Sequence, residues 1–200
     1  TDFPPNIFGS TVKTPKLLKM TTTSQKPYVP GLFRQIAIAV AWVSAVSMIG
    51  QQLTDLGPWY QALRQPEWKP PDWAFGAIWT TVFALIVTAG VLAWRRASSE
   101  GQRRWILGLF VINSLLHMLW SGLFFTAKRP DWAMVELVFL WLSIAAIMAL
   151  FWKISRPAFS LMVPYIAWVT IAGFLNYANV MLNGPFDRPA DAPASAEKSG

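Results

Sequence analysis

The apolar residues of this 200-residue chain come in blocks rather than at the scattered positions of a soluble core. Five blocks cover residues 33–53, 72–94, 105–125, 132–152 and 158–182. As helices, segments of roughly 20 residues cross a hydrocarbon layer of about 30 Å. They are apolar on every side and longer than the roughly 10-residue alternating strands of a membrane barrel. The pattern predicts an all-α membrane protein, a five-transmembrane-helix bundle over residues 33–183, with polar tails at 1–32 and 184–200.

Trp73, Trp94, Trp105, Trp132 and Trp152 fall at the predicted ends, where an amphipathic ring sits at headgroup level. Trp42, Trp79, Trp120, Trp141 and Trp168 lie inside spans, where an indole N–H needs a partner that lipid does not supply. Between the first two spans, Trp59 to Trp79 gathers five aromatic residues besides Tyr60, together with Pro66, Pro70 and Pro71. Such a stretch is neither a flexible linker nor an ordinary turn, and we read it as a semi-rigid lid. Gly57-Pro58 closes the first span, and Pro71 with Asp72 suits a helix start.

Inside the spans, side chains at helical spacing share faces. Phe75, Trp79, Phe83 and Ile86 form a ring-bearing face. Asn113, His117, Trp120, Ser121 and Phe124 form a polar notch of the kind that turns toward other helices or a cavity. Pro164 is expected to bend the last helix, and beyond it Trp168, Ala172 and Leu175 line one face. Glu136, about one turn into the fourth span, is expected to be satisfied at the interface or by Lys128 or Arg129.

The net charge of +7 changes little beyond orientation. Eleven Lys and Arg fall on the side of the N-terminus and six on the other, which puts the N-terminus in the cytoplasm and the lid and C-terminus opposite. The charge is thus a topology signal, and no nucleic-acid partner is indicated. There is no cysteine, and His117 is the single histidine, so thiolate chemistry and a clustered imidazole site within one chain are excluded. Residues 1–30 lack the core of a signal peptide, and the first span is expected to target the chain to the membrane. The Pro- and Lys-containing N-terminal tail reads as a solvated segment near anionic headgroups or as a partner surface. No catalytic triad order, carboxylate pair, phosphate loop or metal cluster is recognisable.

Four ordered motifs carry a family resemblance. They are Trp59-Tyr60, Leu63, Pro66, Trp68, Pro70-Pro71, Phe75 and Trp79-Thr80; then Leu119 to Phe125; then Pro164 to Trp168; then Leu175-Asn176-Tyr177. Over about Phe33 to Asn183 the chain resembles the translocator protein family, also called the tryptophan-rich sensory proteins. The resemblance implies a bundle, commonly dimeric, in a bacterial inner or intracytoplasmic membrane. Its pocket beneath the first loop binds porphyrins, sterol-like molecules and synthetic aromatic ligands. Carried over by motif, that pocket would comprise Tyr60, Trp79, Phe83, His117, Trp120, Ser121, Trp168, Ala172 and Leu175. Family members usually have asparagine at the position of His117 and often proline at that of Gly122. The basic residue of the family's proposed sterol pattern is missing after Tyr177.

The function expected from this resemblance is a receptor or carrier for a porphyrin or haem-like tetrapyrrole, with no obligatory cofactor and no metal site. A sterol-like molecule or a carotenoid is a further ligand class. His117 reads as an interhelical hydrogen bonder, a metalloporphyrin ligand or a proton carrier. Two alternatives stand beside the receptor. One is an accessory subunit of a larger, pigment-handling membrane complex docked through its tails; the other is light-dependent porphyrin breakdown through Trp79 and Trp168.

Overall fold

The computed structural model describes residues 31–186. The docking role expected of the tails falls almost entirely outside them. In chain order come α1 (Leu32–Leu53), α2 (Pro58–Ala62), α3 (Asp72–Arg96), α4 (Glu100–Ser121), α5 (Pro130–Ile154) and α6 (Arg156–Asn183), with a π-helical turn at Gly122–Thr126 prolonging α4. All but α2 are long and apolar enough to cross a membrane, and no strand occurs among the described residues. The all-α, five-helix class expected from the apolar blocks is the one observed.

Local chemistry sets the helix ends. Prolines occupy the first turns of α2, α5 and α6, where a missing N–H costs nothing. Ser99 caps α4 by accepting from Gln102 N at 3.2 Å, and Gln102 Oε1 accepts from Ser98 N at 2.8 Å. This reciprocal cap lets α4 begin in polar sequence, ahead of Trp105. Ser155 alone separates α5 from α6: its hydroxyl accepts from Ala158 N at 3.3 Å and from Arg96 Nη1 at 2.6 Å, tying the foot of α3 to that corner. Pro164 lies inside α6, which runs on as a single helix.

The densest packing is in the half of the bundle nearest that corner. Ile144, Ile147 and Phe151 of α5 meet Ala158 and Met162 of α6 with almost no exposure, and Ala89 and Ala93 of α3 let that helix approach closely. In lipid, such close packing and interhelical hydrogen bonds hold helices together, because lipid tails are as apolar as leucine. α1 is peripheral, with Gln35 and Gly50 its buried residues. It is fastened by Trp42 Nε1, which donates to Ser114 Oγ of α4 at 3.0 Å. The other half of the bundle, beneath the first loop, holds most of the rings.

Candidate ligand site beneath the first loop

The loop between α1 and α3 is folded. The short helix α2 carries Trp59 and Tyr60, and Asp55 Oδ1 accepts from Gly57 N at 2.8 Å to set its entry. The far end of the loop is fastened from across the chain. Asn183, the last residue of α6, accepts from Arg64 N through Oδ1 at 2.7 Å and donates through Nδ2 to the Arg64 carbonyl at 3.0 Å. One side chain thus occupies both backbone groups of Arg64, as a neighbouring strand would. Lys69 pairs with Asp72 at the start of α3 and stands 5.7 Å from the Tyr60 ring and 5.8 Å from the Phe75 ring. Partial burial works against the Lys69 ammonium, but the bond to Asp72 and the proximity of Tyr60 outweigh it and hold its pKa above the ordinary lysine value.

Trp79 is the hub of the rings below. It stacks on Phe83 at 5.3 Å and meets His117 at 4.7 Å and Trp168 at 6.4 Å edge to face. Phe83 also meets His117 at 5.9 Å, and Phe75 meets Trp168 at 5.6 Å. Three helices, α3, α4 and α6, therefore converge on one indole. A second ring cluster lies nearer the loop. Trp120 touches Phe124 and Phe125 at 5.3 and 6.0 Å, Tyr60 touches Phe125 at 5.6 Å, and Trp59 touches Phe124 at 6.3 Å. Phe124 and Phe125 lie in the π-helical turn, where Ala127 N donates to the Gly122 carbonyl at 2.8 Å, five residues back, and their ring centroids are 4.7 Å apart. Such turns recur at functional sites.

A polar brace forms the floor. Tyr165 Oη donates to Asn113 Oδ1 at 3.1 Å, Asn113 Nδ2 donates to Ser143 Oγ at 2.8 Å, and Ser143 Oγ donates to the Leu140 carbonyl at 2.7 Å. It links α6, α4 and α5 in one chain. Beside it lies a cavity of about 30 Å³ lined by Asn113, Ser114, His117 and Tyr165 with apolar neighbours, the size of one water molecule. Tyr165→Phe is expected to lower bundle stability by about 1 kcal/mol while leaving the rings packed. Unfolding in a denaturing detergent series measures this, and an unchanged midpoint would show that the brace carries no load.

The interior indoles divide sharply. Trp42 is bonded to Ser114, and Trp141 Nε1 donates to Thr170 Oγ1 at 3.0 Å. Trp120 Nε1 and Trp168 Nε1 are buried with no acceptor among the described residues. Both oxygens of Glu136, 6% exposed, also lack a partner. The expectation that Glu136 would be satisfied at the interface or by Lys128 or Arg129 is corrected here: among the described residues its buried oxygens have no hydrogen-bond partner, and Arg129 grips Asp131 through Nε and Nη2 in the first turn of α5. Register places Glu136 at the site. Asn113 of α4 bonds Ser143 of α5, the helices are antiparallel, and Trp120 and Glu136 each lie two turns from that bond on the same faces.

The match to known proteins covers the same part of the chain. A family model described as TspO/MBR family matches residues 35–182. The chain belongs to the TspO/MBR family. It is 33% identical over 150 residues to tryptophan-rich protein TspO of Chlorobaculum tepidum, covering 74% of this chain and 95% of that one. It is 34% identical over 133 residues to protein CrtK of Rhodobacter capsulatus, covering 66% and 82%. It is 31% identical over 120 residues to the translocator protein of Homo sapiens, covering 60% and 71%. With five spanning helices, this TspO/MBR chain is an integral membrane protein.

Of the nine residues carried over by the family motif, Trp79, Phe83, His117 and Trp168 meet in the inner cluster, and Tyr60 and Trp120 in the outer one. Ser121 is buried with its hydroxyl 3.5 Å from the His117 carbonyl of its own helix. Ala172 and Leu175 continue the face of α6 beyond Trp168, Leu175 buried and Ala172 half-buried. Sequence reasoning missed Glu136 and Asn183 as residues bordering the candidate site. For Glu136 the signal was available, since a carboxylate inside an apolar span is a functional candidate by default. For Asn183 there was none, because its partner is backbone. Among the described residues no three His, Cys, Asp or Glu side chains converge where they could hold a metal ion.

Proposed function

We propose that this protein is a membrane receptor and carrier for a flat hydrophobic ligand of the porphyrin class, held beneath the first loop and regulating tetrapyrrole metabolism or a stress response. The observation that carries the reading is the pair of buried indole N–H groups of Trp120 and Trp168, without acceptors among the described residues and each set within a ring cluster. Buried donors left without acceptors cost about 1–3 kcal/mol each, a cost that an acceptor on a bound ligand removes. Ring faces supply sequence-independent stacking for a conjugated system, and a few polar groups fix its orientation. The rings lie in mutual contact, so a tetrapyrrole enters only when they and the loop part. Occupancy is then coupled to loop position, which converts binding into a signal. The positive-inside count supports a cytoplasmic N-terminus with the loop opposite, and a homodimer suits the family.

Full-length protein in lipid nanodiscs titrated with protoporphyrin IX should show saturable quenching of tryptophan emission. Trp168→Phe, which keeps a ring but removes the donor, should weaken binding about 3- to 10-fold. A quench that rises linearly without saturation, or a variant that binds as the wild type does, overturns the reading. The edge-to-face approach of Trp79 and Trp168 at 6.4 Å favours a second reading, electron relay from a photoexcited porphyrin. Illuminating the complex decides it: bleaching that persists in a Trp79→Phe, Trp168→Phe double variant removes the two indoles from any photochemistry.

A further inference from the structure

A groove of about 680 Å³ lies outside the ring clusters, between the loop and the outward face of α6. Its size falls within the ~300–1,000 Å³ of ordinary small-molecule sites. One wall is apolar and open to the bilayer: Phe174, Tyr177 and Met181, at successive turns of α6, are 63%, 52% and 61% exposed. The other wall is loop: Arg64, Gln65, Glu67 and Trp68 line it. The Asn183 clamp on the Arg64 backbone holds the two walls together.

The loop wall carries an unusual set of polar groups for a surface at the membrane border. Gln65 Nε2 is shut off from solvent and has no acceptor among the described residues. The three ion pairs of the described residues, Lys69–Asp72, Arg103–Glu100 and Arg129–Asp131, leave out both Arg64 and Glu67. A cation and an anion therefore line one side of a groove whose other side is hydrocarbon-like, with an unsatisfied amide donor sheltered just behind them.

We propose that this groove is a binding site for one zwitterionic glycerophospholipid from the leaflet bordering the loop. The lipid phosphate accepts from the Arg64 guanidinium and draws the sheltered Gln65 amide outward to donate through Nε2, and the lipid ammonium faces Glu67. One acyl chain lies along Phe174, Tyr177 and Met181, with Trp68 at headgroup level, where tryptophan is favoured. Charge complementarity selects this occupant. Phosphatidylglycerol would satisfy Arg64 but offer Glu67 no cation, a diacylglycerol would leave Arg64 and Gln65 Nε2 without an acceptor anion, and a sterol offers one hydroxyl to three polar groups. Nothing in the groove rests on the tetrapyrrole reading, although the loop is common to both sites.

The test uses the full chain, delipidated in mild detergent and titrated with palmitoyl-oleoyl phosphatidylethanolamine, with retained lipid read by native mass spectrometry. One phosphatidylethanolamine per chain should be retained about tenfold better than dioleoylglycerol, the scale of a charge-assisted bond. Arg64→Gln should bring retention down to the diacylglycerol level. The Arg64 side chain is exposed and the Asn183 clamp uses its backbone, so the fold is spared, as an unchanged helical circular dichroism spectrum verifies. Glu67→Gln should shift preference toward phosphatidylglycerol. The proposal is overturned if diacylglycerol is held equally well, if cholesterol displaces the phospholipid, if Arg64→Gln retains the lipid, or if Glu67→Gln leaves the headgroup preference unchanged.

Discussion

Replacing Trp79 with alanine is expected to produce the largest loss of any single ring substitution in this protein, about 3–5 kcal/mol of bundle stability. Trp79 contacts Phe83, His117, Tyr165 and Trp168, on three helices, at centroid distances of 4.7 to 6.4 Å. Aromatic pairs of this kind contribute about 0.5–1.5 kcal/mol each beyond their buried area. In a bundle held by packing rather than by exclusion of water, removing the hub uncouples α3 from α4 and α6 at once. The loss should appear as a lower unfolding midpoint in a denaturing detergent series. Trp73, on the same helix but 77% exposed, supplies the control: Trp73→Ala should leave that midpoint nearly unchanged. Trp79→Phe separates packing from chemistry, since it keeps a ring and removes the indole. Equal midpoints for Trp79→Ala and Trp73→Ala would mean that the inner ring cluster contributes nothing to cohesion.

How much of this was legible in the sequence depends on how local each feature is. Span length and a 3.6-residue period are properties of short windows, so the five helices and the shared face of Trp79 and Phe83 could be read directly. The same holds for the Asn113 and His117 notch, whose two side chains are four residues apart on one helix. The sequence also showed that interior indoles need partners, but not which ones. Ser114 for Trp42 and Thr170 for Trp141 depend on how different helices are rotated against each other. The unpartnered state of Trp120, Trp168 and Glu136 belongs to the same class, because only the assembled bundle shows what is absent around an atom. Nothing in the local sequence announces the π-helical turn at Gly122–Thr126, whose hydrogen bond spans five residues. Glu136 was misread because it is buried rather than at the interface, and because Arg129 had a nearer carboxylate in Asp131, two residues away.

Asn183→Ala is expected to release the loop while leaving the five helices assembled. The amide of Asn183 satisfies the N–H and the carbonyl of Arg64 and also donates to the Asn179 carbonyl at 2.9 Å, so the clamp is itself braced against the last turn of α6. Losing its two cross-chain bonds costs about 1–3 kcal/mol, and that cost falls on the closed loop alone, because Arg64 is exposed and its backbone can hydrogen-bond to water once freed. Opening should therefore become about 5- to 150-fold more populated. Hydrogen exchange at Leu63, Arg64 and Gln65 reports this directly and should accelerate by that factor, with exchange in the α5 core around Ile144 and Ile147 unchanged. Asn183→Asp gives a sharper discrimination, since a carboxylate still accepts from Arg64 N but no longer donates to its carbonyl, and it should fall between wild type and alanine. If ligands pass beneath the loop, dissociation of bound protoporphyrin accelerates in the same order. Loop exchange that stays at the wild-type rate in Asn183→Ala would show that the loop is held by its rings and prolines, with the clamp incidental.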